Sequence, residues 1–485
     1  MPDDVIKLIM HKVHPKDRLT TCCLVNSRLH AAAVAATDTL TLGPRDWFNP
    51  EIAVSTPERA LAALEWLASC GQHMTRLRLH SYPQTLQQLP CPNLLDLKVQ
   101  YSCSVQLGLS ATPHQGVIPG CTNLTKLELL CNILDANGGA EVCGSLSSLV
   151  HLQHLNVEPK NERFGHHSIE GLSRGTLPCL AHLTFLNVHN LSIMNMYELG
   201  ALTNLQHLCL RADSSVVVGP SSVPGLVIPA SLALLQLCSP VEAEVLLSVP
   251  AGLKDLALNC AVHGPAEGPG SLLSCISRLP PLTGLNFFPT PPTGVNLPPP
   301  GPSYSALTAS SNLAEFRVSA DALPVGVWPF VFPAARTLPH LTEFRASFLH
   351  SCNDPAMPRA WGAADVARLV NCCPNLCNLD LAMQHGAHVS ELHKLSALKV
   401  LEVNFGPTDG STLPATMHGL VALTQLEDLR LAFHCCSMGM GSLLPLTRLT
   451  SLNWFGFTCT AYVVAEDADS DDGMQVFLYQ VSQLA

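Results

Sequence analysis

A hydrophobic phrase, Leu-x-x-Leu-x-Leu, returns along almost the whole chain. It reads Leu124-Leu127-Leu129, Leu152-Leu155-Val157, Leu183-Leu186-Val188 and Leu205-Leu208-Leu210, and continues at Leu232-Leu235-Leu237, Leu253-Leu256-Leu258 and Leu282-Leu285-Phe287. Aromatic residues replace the central leucine in Leu313-Phe316-Val318 and Leu341-Phe344-Ala346. Further copies are Leu376-Leu379-Leu381, Leu398-Leu401-Val403, Leu426-Leu429-Leu431 and Leu449-Leu452-Trp454, with Met74-Leu77-Leu79 and Leu94-Leu97-Val99 before them. The spacing averages roughly 27 residues. A unit this short cannot bury its own apolar face, so it must stack on its neighbours into a solenoid.

The phrase and its period resemble leucine-rich repeats. The fold class is therefore α/β: a curved parallel sheet with helices or irregular segments outside. Side chains alternate across a strand, so the leucines point inward and the residues between them outward. The central outward positions are Arg78, Lys98, Glu128, Asn156, Asn187, Cys209, Gln236, Ala257, Asn286, Arg317, Arg345, Asp380, Glu402, Arg430 and Asn453. A face of this kind is the surface on which such an architecture binds a protein partner. Arginine and aromatic residues dominate interface hot spots. The expected contacts on this concave face are therefore Arg78, Lys98, Phe288, Arg317, Arg345, Arg430 and Phe455. Arg317 and Arg345 fall on successive copies beside Glu315 and Glu343, a pattern that predicts an ion-pair lattice.

Composition narrows the partners. The net charge of −11 argues against a nucleic-acid groove or an anionic membrane surface. No apolar run reaches the roughly 20 residues that a membrane-spanning helix needs. Twenty cysteines are diluted over the repeats. The acidic start Met1-Pro2-Asp3-Asp4 has no secretory pattern, so the cysteines are expected to be reduced and mostly buried. The expected compartment is cytoplasmic or nuclear.

Residues 1–40 lack the repeat. Val5, Ile6, Ile9 and Val13 fall at helical spacing behind Asp3 and Asp4, which suit a helix N-terminus. His14-Pro15 ends that helix, and a second one carries Leu19, Cys22, Cys23 and Val25. Pro2, Val5, Ile6, Ile9, Val13, Pro15, Asp17, Leu19 and Val25 together resemble an F-box, although Met1 stands where Leu is usual and Leu29 where Trp is common. The resemblance implies that Pro2, Val5, Ile6, Ile9, Val13 and Leu19 bind a Skp-family adaptor of a cullin-RING complex. It makes the chain the substrate-recognition subunit of an SCF-type ubiquitin ligase, with an unidentified protein substrate on the repeats. The plainer reading of the same residues is a helical cap that seals the first repeat, which leaves a leucine-rich-repeat interaction scaffold.

Residues 41–73 form a linker and capping segment. Thr39-Leu40-Thr41-Leu42 can start the stack as a strand, and Thr56-Pro57-Glu58 is a helix start. The solenoid runs over 74–460. Proline-rich residues 289–311 interrupt it and are expected to form an extended, partly polyproline loop. An acidic loop and a C-terminal cap occupy 461–485. Enzymatic chemistry has no signature. Cys372, Cys373 and Cys377, and likewise His434, Cys435 and Cys436, lack the paired spacing of a zinc site. No phosphate-binding or dinucleotide-binding glycine phrase occurs in a strand-to-helix context. Neither a metal nor a cofactor is expected.

Overall fold

A computed structural model describes residues 6, 39–43, 52–53 and 67, and residues 71–460 apart from 81–84, 87–88, 90, 107–120, 135–143, 159–174, 192, 213–216, 224–225, 269, 280, 289–296, 348–360, 384–385, 408–412 and 435–439. The chain divides into two compact units. The first is Met1–Ser239 with Ser248–Pro250, and the second is Pro240–Leu247 with Ala251–Ala485.

The first unit holds β1 (Thr39–Gly43), β2 (Ile52–Ala53), β3 (Arg76–His80), β4 (Thr85–Leu86), β5 (Asp96–Gln106), β6 (Lys126–Leu134), β7 (His154–Val157), β8 (Phe185–Leu191), β9 (His207–Ala212) and β10 (Leu234–Leu237). Every pairing is parallel. The order runs β2-β1-β3-β5-β6-β7-β8-β9-β10, and β4 joins the far end of β5. The strand expected at Thr39–Leu42 is present and pairs with β3.

The second unit holds β11 (Val241–Glu242), β12 (Asp255–Leu258), β13 (Val262–His263), β14 (Gly284–Phe287), β15 (Glu315–Ser319), β16 (Glu343–Ser347), β17 (Asn378–Met383), β18 (Val400–Pro407), β19 (Asp428–His434) and β20 (Trp454–Thr460). Its main sheet runs β12-β14-β15-β16-β17-β18-β19-β20, all parallel, while β11 and β13 form a separate pair. Each unit is thus a leucine-rich-repeat stack, one strand per copy of the phrase.

The register explains the phrase. Leu127 aligns with Leu97 and Leu155, Leu129 with Val99 and Val157, and all are buried. A single carbonyl from one repeat takes two successive N–H groups of the next. Thr125 and Lys126 both donate to the Leu95 carbonyl at 2.9 Å, and Cys377 and Asn378 both donate to that of Thr342 at 2.8 and 2.9 Å. This doubled bond fixes where each strand starts, so the register cannot slip by one residue and turn the leucines outward.

Side chains reinforce these starts. Asn93, Asn123, Asn204 and Asn375 donate from their amide nitrogens to the carbonyls of Gln72, Pro92, Ala181 and Pro339 in the preceding repeat, at 2.7–3.1 Å. The hydroxyls of Thr125, Thr184 and Ser310 donate in the same way to Leu95, Gln153 and Leu282. The polar ladder therefore stands beside the first leucine of the phrase, in the Pro-Asn-Leu and Thr-Asn-Leu sequences.

Two expectations are corrected in the second unit. The proline-rich insertion is not an extended loop throughout. Pro302–Thr308 forms a 3-10 helix whose Tyr304, Ala306 and Leu307 are buried. The Tyr304 hydroxyl donates to the Pro298 carbonyl at 2.7 Å, and the Thr308 hydroxyl donates to that of Val331 at 2.7 Å. Proline at the start of that helix costs no helix bond, because a first-turn N–H has no acceptor within the helix. The apolar residues after it then pull the segment into the core. The last repeat is also out of phase with the expected phrase. Leu429 aligns with Phe455 and Asp428 with Trp454, so the copy reads Leu452-Phe455-Phe457, and Leu449 corresponds to the earlier Leu423. Phe455 is buried, and it is not a contact on the outer face.

Aromatic side chains fill the core where the phrase carries phenylalanine. Phe316, Phe344, Phe332, Trp328 and Trp361 form one cluster. Trp328 stacks on Trp361 with centroids 4.1 Å apart, and Phe332 meets Phe344 edge-on at 5.2 Å. Such pairs add roughly 0.5–1.5 kcal/mol each beyond their buried area. No described helix is long and apolar enough to cross a membrane.

Candidate functional site

The strand registers convert the outward residues into rows across each sheet. In the first unit one row runs Arg76, Asp96, Lys126, His154, Phe185, His207 and Leu234. The next runs Arg78, Lys98, Glu128, Asn156, Asn187, Cys209 and Gln236. Glu128 is the hub of this surface. Its carboxylate lies 2.7 Å from both Lys98 Nζ and Lys126 Nζ, and 3.6 Å from His154 Nε2. Burial alone raises the Glu128 carboxyl, but the hydrogen bonds from Lys126 and Lys98 outweigh it and hold it below the usual range. Burial and the Lys126 charge push His154 down, so that ring is neutral near pH 7.

The neutral His154 ring stacks on Phe185 at 4.0 Å, and Phe185 leans toward His207 at 5.9 Å. Asn187 Nδ2 donates to both Asn156 Oδ1 at 2.9 Å and Glu158 Oε1 at 2.6 Å. Cationic, aromatic and amide zones thus follow one another along the sheet. Arg78 is exposed at the cationic end, beside half-buried Lys98.

In the second unit the first row runs Asp255, Gly284, Glu315, Glu343, Asn378, Val400, Asp428 and Trp454. The second runs Ala257, Asn286, Arg317, Arg345, Asp380, Glu402, Arg430 and Gly456. Arg317 aligns with Arg345, and the expected ion-pair lattice is present. Glu343 Oε1 accepts from Arg317 Nε and Arg345 Nε at 2.8 Å each, and Glu315 lies 3.5 Å from Arg317. Arg430 pairs with Asp428 at 3.0 Å, lies 3.9 Å from Glu402, and spreads over the Trp454 ring at 4.7 Å. Gly456 makes this possible: a Cβ there would strike the Trp454 ring.

Asp380 sits between the two arginine groups. Its Oδ1 is buried and takes no hydrogen bond among the described residues. Burial, and next the Glu402 charge, raise its carboxyl to about 7 against the pull of Arg345 and Arg430. Asn286 Oδ1, in the same row, is likewise buried without a described partner. Both oxygens are closed off from solvent.

Arg78, Lys98, Arg317, Arg345 and Arg430 all lie in the outward rows, and Phe288 is half-buried at the end of β14. Phe455 alone among the expected face residues turns inward, and Trp454 takes the outward place. Trp454 falls outside the expected face because the phrase that begins at Leu449 stands three residues ahead of the true register. Of the six adaptor-binding residues expected near the N-terminus, only Ile6 is described, in a helix and buried; Pro2, Val5, Ile9, Val13 and Leu19 lie outside the described residues. Cys91, Cys121, Cys209, Cys260, Cys275, Cys372 and Cys373 are buried thiols, Cys238 and Cys377 are half-buried, and Cys179 is exposed. Among the described residues no group of three His, Cys, Asp or Glu is placed to hold a metal ion.

No family model matches the chain, and no curated protein matches it. Among solved structures it is similar to an internalin from Listeria monocytogenes, at 13% identity and a TM-score of 0.36, over 93% of this chain and 92% of that one. It is also similar to the TLR13–ssRNA13 complex, at 16% identity and a TM-score of 0.42, over 81% of this chain and 56% of that one. The leucine-rich-repeat fold of this chain rests on its own strand registers.

Proposed function

We propose that this chain is a protein-recognition module whose outward strand rows hold a segment of a partner protein. The observation that carries this reading is the division of labour along each strand. Inward positions are spent entirely on the core, whereas outward ones present an ordered series of charges, amides and rings that the fold does not need. In the second unit that series is Arg317, Arg345, Asp380, Glu402, Arg430 and Trp454, with an unsatisfied acceptor in its midst. Arginine and tryptophan are among the residues that most often anchor interfaces. The role requires no catalysis by this chain.

The test is affinity capture from cell extract with the full chain and with the triple variant Arg317→Glu, Arg345→Glu, Arg430→Glu, read by quantitative mass spectrometry. The ion pairs removed are half-exposed and worth about 0.2–1 kcal/mol each, so the variant should stay folded. Partners held by the wild type should be lost by the variant. An unchanged partner set would move recognition off this face.

A narrower reading makes the partner a substrate for ubiquitylation. It rests on the F-box resemblance of residues 1–40 and gains nothing from the comparisons. In it, a Skp-family adaptor binds Pro2, Val5, Ile6, Ile9, Val13 and Leu19 in the cytoplasm or nucleus. The repeats then raise the concentration of substrate lysines near a charged conjugating enzyme. Co-purification with such an adaptor, abolished by Ile6→Asp and Ile9→Asp while the repeats stay folded, separates this reading from the scaffold. If no adaptor co-purifies, residues 1–40 are a cap.

A further inference from the structure

Two thiols face one another on the outward side of the first unit. Cys209 occupies the central outward position of β9, opposite Gln236 of β10. Cys238 follows β10 directly, and its N–H continues the ladder to the Leu210 carbonyl at 3.0 Å. Leu237 aligns with Leu210, so Cys238 comes level with Arg211. The two sulfurs are 3.8 Å apart, and the Gln236 amide Nε2 donates to Cys238 Sγ at 3.2 Å. Cys238 is half-buried, whereas Cys209 is almost wholly covered.

The surroundings divide the pair chemically. The hydrogen bond with Cys209 lowers the Cys238 thiol most. Burial opposes it, and the Arg211 charge and the Gln236 amide add to the lowering. The same shared hydrogen bond, with burial, holds Cys209 well above the ordinary thiol range. Glu158 lies 4.0 Å from Arg211, a distance at which its charge offsets the guanidinium only in part. A half-exposed thiolate beside a guanidinium, with a second thiol in reach, is the arrangement that peroxide-sensing cysteines use.

The geometry points to Cys238 as a peroxide-reactive thiol and Cys209 as its resolving partner, so that oxidation joins two neighbouring repeats by a disulfide on the outward face. The Cys238 thiolate attacks one oxygen of hydrogen peroxide. An S–O bond forms, the O–O bond breaks, and hydroxide leaves and takes up a proton as water. The Cys209 sulfur, losing its proton, then attacks the Cys238 sulfenic sulfur. The S–S bond forms, the S–O bond breaks, and the departing hydroxide takes that proton and leaves as a second water. Two thiols are oxidised and one peroxide is reduced. The sulfurs must approach by nearly half their separation to reach the roughly 2.05 Å of a disulfide. The reaction does not depend on what the face binds.

The experiment uses the full chain, reduced, desalted and titrated with hydrogen peroxide, followed by alkylation and non-reducing peptide mapping. A Cys209–Cys238 cross-linked peptide should appear first, while Cys372 and Cys373 remain alkylatable after unfolding. In Cys209→Ser, which keeps a hydroxyl donor beside Cys238, dimedone should trap a sulfenic acid at Cys238. In Cys238→Ser, Cys209 should resist the same peroxide. Native-state alkylation of Cys238 should exceed that of half-buried Cys377 by roughly tenfold or more, and Arg211→Gln should reduce that excess. The proposal fails if Cys238 is alkylated no faster than Cys377 in the native chain. It also fails if peroxide yields no Cys209–Cys238 link while circular dichroism stays native.

Discussion

At the scale of single residues, the outward rows show how one sheet position can be given opposite characters by its neighbours. Glu128 and Asp380 stand at equivalent places in the phrase. Glu128 has two lysines within 2.7 Å and is held ionised. Asp380 is raised to about 7 from 3.8, because burial and Glu402 outweigh the pull of Arg345 and Arg430. The sign for stability follows from proton counts. Between those two values the folded chain keeps a proton on Asp380 that the unfolded chain has released. Its contribution therefore favours folding at low pH and falls as pH rises, by roughly 1 kcal/mol per pH unit over that window. Asp380→Asn removes the titration but keeps a neutral side chain of the same shape. The variant should match the wild-type melting temperature near pH 4 and exceed it near pH 8. A difference between the two proteins that does not change with pH would show that Asp380 is an ordinary exposed carboxylate.

At the scale of elements, much of the fold was legible because a strand that buries one face must alternate and its inward positions take apolar side chains, most often leucine. The central outward positions from Arg78 to Arg430 follow directly from that alternation. The last repeat departs from the expectation because Leu449 and Leu452 imitate the phrase three residues early, and only the pairing with β19 brings buried Phe455 level with Leu429. The proline-rich stretch was misread for a different reason. Composition registers Pro298 to Pro302 but not the burial of Tyr304 and Leu307 that follow. Of the Cys209–Cys238 pair only Cys209 belongs to the phrase, since Cys238 stands in the residue after the strand. The 3-10 helix gives a test of the corrected reading. Tyr304→Ala empties a fully buried ring site and should cost about 3–5 kcal/mol. Tyr304→Phe loses only the bond to the Pro298 carbonyl, about 1 kcal/mol. Urea denaturation of the two variants decides it. A Tyr304→Ala midpoint close to the wild type would return the segment to the solvent.

At the scale of the whole molecule, stability is assembled repeat by repeat. In the first unit, β7 aligns Leu155 with Leu127 on one side and Leu186 on the other. Its doubled carbonyl bonds reach only the adjacent strands: Gln153 and His154 donate to Thr125, and the Gln153 carbonyl accepts from Thr184 and Phe185. Nothing in this ladder connects β7 to a strand two places away. A stack of this kind responds to damage as a one-dimensional chain, in which each interface feels its own neighbours first. Leu155→Ala should therefore cost about 2–5 kcal/mol locally. The loss of amide protection should be greatest in β7, smaller in β6 and β8, and smaller again in β3 and β10. Hydrogen exchange read by mass spectrometry on the full chain resolves that gradient. An equal loss of protection across all strands of the unit would mean that it unfolds only as a block, and the nearest-neighbour account of its stability would be wrong.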